Sequence, residues 1–152
     1  MLSPMATTDA TNLDDAVRYL RGRRLCVLTG AGISTDSGIP DYRGPHGSLK
    51  KRTPMTYGEF IRSADNRRRY WARSFVGWTF MAQRTPNDAH RHVADLQHRG
   101  VAADLITQNV DGLHQAAGSP EVNELHGGLA RVVCLECGDV SPRTSSKTGC
   151  AS

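Results

Sequence analysis

Apolar positions along this chain follow two periods in alternation. Leu13, Ala16, Val17 and Leu20 share one face at helical spacing and predict a helix over about 13–22, capped by Asn12. Leu25-Cys26-Val27-Leu28 is an unbroken apolar run and predicts a buried strand over 25–29, in which Cys26 is a small buried hydrophobe. Residues 56–65 and 66–84 read as two helices. In the second, Trp71, Phe75 and Trp78 fall at i, i+4 and i+7 and build one apolar stripe, expected in the core. A further helix over 87–98 opens at Pro86-Asn87-Asp88 and turns Ala89, Val93 and Leu96 inward. A second strand covers 101–107, a short helix 111–117 and a short extended run 121–126. Residues 130–134 form another strand that leads into a Cys pair.

Strand, helix, strand alternation predicts an α/β fold on a parallel sheet. Ligands of such sheets bind beyond the carboxyl ends of the strands. Residues 39–55 hold Pro40, Gly44, Pro45, Gly47 and Pro54 and cannot be regular. Residues 1–11 are expected to be a mobile leader, and the Ser-, Thr- and Gly-rich tail from Gly138 to be unstructured.

The 152 residues suffice for one domain with a core, and the net charge is +4. Basic residues cluster at Arg21–Arg24, Lys50–Arg52 and Arg67–Arg69. They read as solvated helix faces and loops, so nucleic acid is not the expected partner. Four Cys with one Cys-x-x-Cys pair point to metal binding rather than a disulfide framework. No apolar stretch approaches the about 18 residues of a membrane span. Residues 1–12 lack the features of a secretory signal and lack Arg, so a cytoplasmic location is expected.

Chemistry gathers behind the first strand. Gly30 and Gly32 allow a tight turn and close approach to a ligand. The N–H groups of Ile33, Ser34 and Thr35 are expected to face an anion, which makes a nucleotide diphosphate the natural guest. Thr35 stands where the usual dinucleotide fingerprint has its third glycine. Lys50-Lys51-Arg52 stands where that fingerprint expects an acidic ribose reader. The polar turn Gln108–Asp111 follows the second strand and lands at the same edge.

Four motifs give this loop a context: Gly30–Arg43, Thr107–His114, Glu124–Gly127 and Cys134–Cys137. In this order and spacing, over roughly positions 12–140, the chain resembles the sirtuin family of NAD-dependent protein deacylases. The stretch Arg69–Trp78 is most similar to the class II branch. The resemblance implies a partial Rossmann-like domain over 12–133 and an incomplete zinc-module start over 134–152. It implies transfer of an acyl group from lysine to ADP-ribose with release of nicotinamide, NAD and zinc as cofactors, and an acyl-lysine protein or peptide as partner. Family members are longer, so a fragment or a disrupted gene is expected, with self-association through an open sheet edge. Two alternatives stay open: a weak nucleotide binder without turnover, and a protein ADP-ribosyltransferase.

Residue by residue, the resemblance implies nucleotide contacts from Gly30, Ala31, Gly32, Ile33, Ser34, Asp41, Tyr42, Arg43, Gln108, Asn109 and Asp111. His126 matches the general base, and a free histidine side chain, with a pKa of about 6.5, suits proton transfer. Asn109 is expected to orient the ribose and a water. Cys134 and Cys137 match half a zinc site, with Cys150 incidental. His114 is taken as structural, and His46, His90, His92 and His98 as ordinary surface or core residues. Tyr70 and Arg73 share a helix face that can hold an acidic acyl chain, yet packing and a surface ion pair are the expected roles.

Overall fold

The structure is a computed structural model that describes residues 13–41 and 54–144. Its elements run α1 (Leu13–Leu20), β1 (Leu25–Thr29), a 3₁₀ helix (Ala31–Ser37), α2 (Tyr57–Arg62), α3 (Ala64–Met81), α4 (Asp88–His98), β2 (Ala102–Thr107), α5 (Leu113–Ala116), β3 (Asn123–Glu124), β4 (Arg131–Val133) and β5 (Val140–Pro142). The predicted leader and the cap Asn12 lie outside the described residues.

β1, β2 and β3 lie in that order as a parallel sheet, the Rossmann-like arrangement that the alternation predicts. Thr29 pairs with Thr107, and Thr107 with Glu124, so three segments leave the sheet at one edge. α4 packs on β2 and on α5. Ala94, Ala102, Leu105 and Leu113 are buried there and form the core. The opposite face is bare among the described residues. Leu28 is 63% exposed, and Cys26 is exposed rather than the buried hydrophobe expected. A parallel sheet is ordinarily covered on both faces.

Side-chain caps fix where the helices start. Thr56 and Glu59 form a capping box at α2, and Ser63 accepts from the Asn66 N–H at α3. Asn87 accepts from the His90 N–H at α4, as the Pro-Asn-Asp opening predicts. The inward face of α4 is rotated from the expected one: His90 and Ala94 are buried, while Ala89 is exposed. The α3 stripe also departs from expectation. Trp78 is half-buried, but Phe75 is 72% exposed, because the described residues set few partners against that face.

The tail expected to be unstructured from Gly138 instead folds back. β5 pairs antiparallel with β4, Val140 opposite Val133. Gly138 takes φ +74°, and its N–H donates to the Cys134 carbonyl, which closes the turn. Residues 145–152, with Cys150, lie outside the described residues. No described helix is long and apolar enough to cross a membrane.

Candidate functional site

A buried polar network ties the carboxyl ends of β1 and β2 together. Ser34, fully buried in the 3₁₀ helix, donates to Asp111 Oδ2 at 2.8 Å. Its oxygen accepts from Asn109 Nδ2 at 3.2 Å. The same Asn109 nitrogen donates to the Gly30 carbonyl at 3.0 Å, and the Asn109 N–H donates to Thr107 Oγ1 at 3.0 Å. Asp111 Oδ1 accepts from the Leu113 N–H at 3.0 Å and so also fixes the start of α5. Every described bond of the Asn109 amide nitrogen therefore goes to the protein, which leaves Oδ1 as the amide's acceptor toward a ligand.

Two histidines lie under this network. His90 Nε2 is 3.4 Å from Ser34 Oγ, and its ring centroid is 4.9 Å from that of His114. Asn87 bonds His90 and also donates to the Ile33 carbonyl at 2.8 Å, so the start of α4 braces the glycine loop. Thr29 Oγ1 donates to Thr107 Oγ1, so His114 Nε2, 3.0 Å from Thr29 Oγ1, carries the proton and donates to it. His114 Nδ1 is buried and has no partner among the described residues. Burial, then the neighbouring His90, push the His114 pKa down to about 4, against an opposing pull from the Asp111 carboxylate. Burial also lowers the pKa of His90, with Asp111 opposing and Arg91 adding to the shift. Both rings are neutral in the folded protein near neutral pH.

His126 stands at the third strand end, just past β3. Its Nδ1 is 2.9 Å from the Gln108 carbonyl. A carbonyl can only accept, so Nδ1 carries the proton and the neutral ring presents Nε2 as a base. His126 lines a cavity of about 400 Å³ with Phe60, Tyr70 and Trp71. A second cavity of about 320 Å³ is lined by Ala31, Ser34, Ile39, Pro40, Asn109 and Asp111, together with Trp78 and Met81. Val110 and Leu129 line both, and the Leu129 N–H donates to the Val110 carbonyl at 2.9 Å. A base thus faces one chamber, polar groups face the next, and one shared wall separates them.

The remaining predicted residues fall as follows. A Cβ at Gly30 or Gly32 would meet nothing within 4 Å, and neither glycine has positive φ. Their contribution is open space beside the backbone rather than a strained turn. The glycine that the turn does need is Gly38, at φ +81°, where a Cβ would also meet Arg84 Nη1 at 3.0 Å. The Ile33 N–H donates back to the Gly30 carbonyl at 3.1 Å, so it is not the free donor expected. Gln108 is exposed and acts through its main chain, its N–H donating to the Thr29 carbonyl. Asp41 is half-buried next to Pro40, while Tyr42 and Arg43 lie outside the described residues.

Cys134 and Cys137 sit on the β4–β5 turn, where the Cys134 N–H donates to the Asp139 carbonyl at 2.8 Å. Two thiols are half of a tetrahedral zinc set. Among the described residues no third His, Cys, Asp or Glu completes a cluster, so they do not by themselves fit a structural zinc ion. The sequence reading missed His90 as a site residue. The signal was present: an Asn capping a helix with His three residues on, both facing the glycine loop.

The sequence profile of the Sir2 family matches residues 30–150. NAD-dependent protein deacetylase 1 of Streptomyces coelicolor is 57% identical over 140 residues, 92% of this chain and 46% of that protein. The human NAD-dependent protein lipoamidase sirtuin-4, mitochondrial, is 52% identical over 139 residues, 89% of this chain and 44% of its own. Among solved structures, a mutant Sir2 homologue with ADP-ribose superimposes with a TM-score of 0.77 at 34% identity, covering 86% of this chain and 53% of that one. A complex described as Sir2, p53 peptide and NAD+ gives a TM-score of 0.74 at 37% identity, covering 86% and 52%. The chain spans about half the length of the curated relatives it matches.

Proposed function

The chain belongs to the Sir2 family, and from that premise we propose that its three strand ends form the reaction centre of an NAD-dependent protein-lysine deacylase. The observation that carries this reading is His126, fixed by the Gln108 carbonyl with Nε2 unbonded among the described residues, beside a chamber that adjoins the Ser34–Asn109–Asp111 network.

NAD, when bound, supplies an electrophilic ribose carbon and a leaving nicotinamide. The open backbone at Gly30 and Gly32 and the polar floor of the second cavity fit its nicotinamide end. Ser34, Asn109 and Asp111 would hold that end, Asn109 Oδ1 accepting a hydrogen bond and the bonded Asp111 carboxylate offering its remaining lone pairs. Ile39, Trp78 and Met81 supply apolar lining that limits water in the chamber. The acyl-lysine enters the His126 cavity, whose aromatic sides suit an alkyl stem. His126 Nε2 takes a proton from a hydroxyl brought to it, and the Gln108 carbonyl stabilises the charged ring. Preorganisation of the network by His90 and Asn87 keeps these groups from reorienting.

A second reading, a nucleotide binder without turnover, draws on the bare face of β1 with exposed Cys26 and Leu28. Nicotinamide release from NAD in the presence of an acetyl-lysine peptide separates the two. Release that disappears in His126→Ala supports the enzyme. A folded protein that binds NAD but releases nothing supports the binder.

A further inference from the structure

His126 sits on a short turn between β3 and β4, and Gly127 and Gly128 follow it with no side chains to stiffen that turn. Main-chain bonds hold the two ends. The Leu125 N–H donates to the Thr107 carbonyl at 2.9 Å, and the Leu129 N–H to the Val110 carbonyl at 2.9 Å. Between them, the Gly127 N–H reaches the Glu124 carbonyl only at 3.4 Å. The Glu124 side chain fills the turn from inside. Its Oε1 accepts from Gln115 Nε2 at 2.9 Å, and its Oε2 accepts from Arg131 Nη2 at 3.3 Å. A Cβ on Gly128 would stand 2.9 Å from Oε1 and 3.3 Å from Oε2, so the main chain lies directly against the carboxylate.

This carboxylate is unlike the other paired ones. Among the described residues, the ion pairs of Asp15, Asp65 and Asp88 each join residues three apart on one helix, and those side chains are 53% to 83% exposed. The Glu124 side chain is 15% exposed, and its pair joins β3 to β4. Exposed pairs contribute little, whereas a shielded charge is kept only with its partners in place. Gln115 comes from α5, whose Leu113 N–H is held by Asp111 Oδ1. The carboxylate therefore connects the α5 end of the polar network, the turn that carries His126, and β4. Glu124 lines neither cavity described above, so it touches no occupant of them. What its position allows is to hold the turn.

We infer that Glu124 is a positioning residue for the base: its carboxylate is the post on which the 125–128 turn rests, and it keeps His126 Nδ1 on the Gln108 carbonyl with Nε2 toward the cavity. This rests on the deacylase reading above and adds a residue to it. Through Gln115 and α5, the same post sets the base and the Asp111 end of the network in one frame.

The His126 tautomer reports this positioning without turnover. Long-range proton–nitrogen correlation spectra of the full chain at alkaline pH are compared with those of Glu124→Ala, Glu124→Gln and Gly128→Ala. Nicotinamide release from NAD with an acetyl-lysine peptide gives kcat and KM on the same samples. Glu124→Ala should replace the Nδ1-protonated ring by mixed tautomers and lower kcat about 30-fold, with KM for NAD within about 2-fold, because the Ser34–Asn109–Asp111 network is untouched. Glu124→Gln should recover most of both, since its amide oxygen still accepts from Arg131 and its amide nitrogen can donate to a flipped Gln115. Gly128→Ala, at a position without positive φ, presses on the carboxylate from the other side and should repeat the Glu124→Ala signature at smaller size. Combined with Glu124→Ala it should add nothing, because the atoms it meets are gone. An unmoved tautomer in Glu124→Ala, or in Gly128→Ala where the first variant does not fold, overturns the inference. So does a fall in kcat without a change of tautomer, or additive losses in the double variant. Mixed tautomers in the variants, with no turnover by the natural chain, would keep the positioning role and remove the deacylase reading. Turnover with a tautomer indifferent to both variants would do the reverse.

Discussion

The two sides of this molecule are built differently. On the α4 side, Ser34, His90 and His114 are nearly inaccessible, and each is bonded to named partners. On the α3 side, Trp71 and Phe75 remain exposed, and the walls enclose cavities instead of packing. The buried side fixes polar groups in one arrangement, which preorganised chemistry requires. The aromatic side leaves space of a shape that side chains of another molecule can fill. Rigidity and vacancy meet at the Val110–Leu129 wall, next to His126.

The contrast breaks first in stability. Leu105→Ala, at 1% exposure in the core, should cost about 3 kcal/mol in urea unfolding, with the lost contacts left as a void. A cost below about 1 kcal/mol would mean that the α4 side is not tightly packed. Asp111→Ala should cost about 2 kcal/mol, because it strands the Ser34 hydroxyl and the Leu113 N–H. Ser34→Ala in the same background should then add little, since the pair is shared.

Acid gives a further test of the same side. Unfolded, His90 and His114 bind protons near their ordinary pKa of about 6.5, while folded they resist protonation. Stability is therefore full above about pH 6.5 and falls as the pH drops toward about 4, the folded value of His114. The loss is on the order of 2 kcal/mol after allowance for solvent. In His114→Asn, unfolding followed by pH should show a shallower fall over that window; an unchanged slope would place the acid sensitivity elsewhere. The smallest effect belongs to the other side. Phe75→Ala should change stability by less than about 0.5 kcal/mol, and a larger loss would show that the α3 face is packed in solution.

How far the sequence reveals this contrast depends on the element. β1 is legible to the residue, because an apolar run stands between Arg24 and Gly30. The convergence of Ser34, Asn109, Asp111 and His126 follows once three strand ends share an edge. The α4 face is less legible. Apolar spacing selects Ala89, whereas the buried positions are His90 and Ala94, and a histidine that faces inward hides the true stripe. Trp71, Phe75 and Trp78 illustrate the converse. An amphipathic period states which residues share a face, not whether another segment covers it. β5 goes unread because Val140–Pro142 is short, polar at Ser141 and ends on a proline, so only its pairing to β4 defines it.

The central claim is that the Gln108 carbonyl sets His126 with Nε2 as the base. A long-range proton–nitrogen correlation spectrum at alkaline pH, with the ring neutral, reads the tautomer directly. Protonation at Nδ1, lost in favour of mixed tautomers when residues 108 and 126 are unfolded by urea, is the result predicted here. A folded His126 protonated at Nε2 would contradict it, since the base would then point at the main chain and away from the cavity.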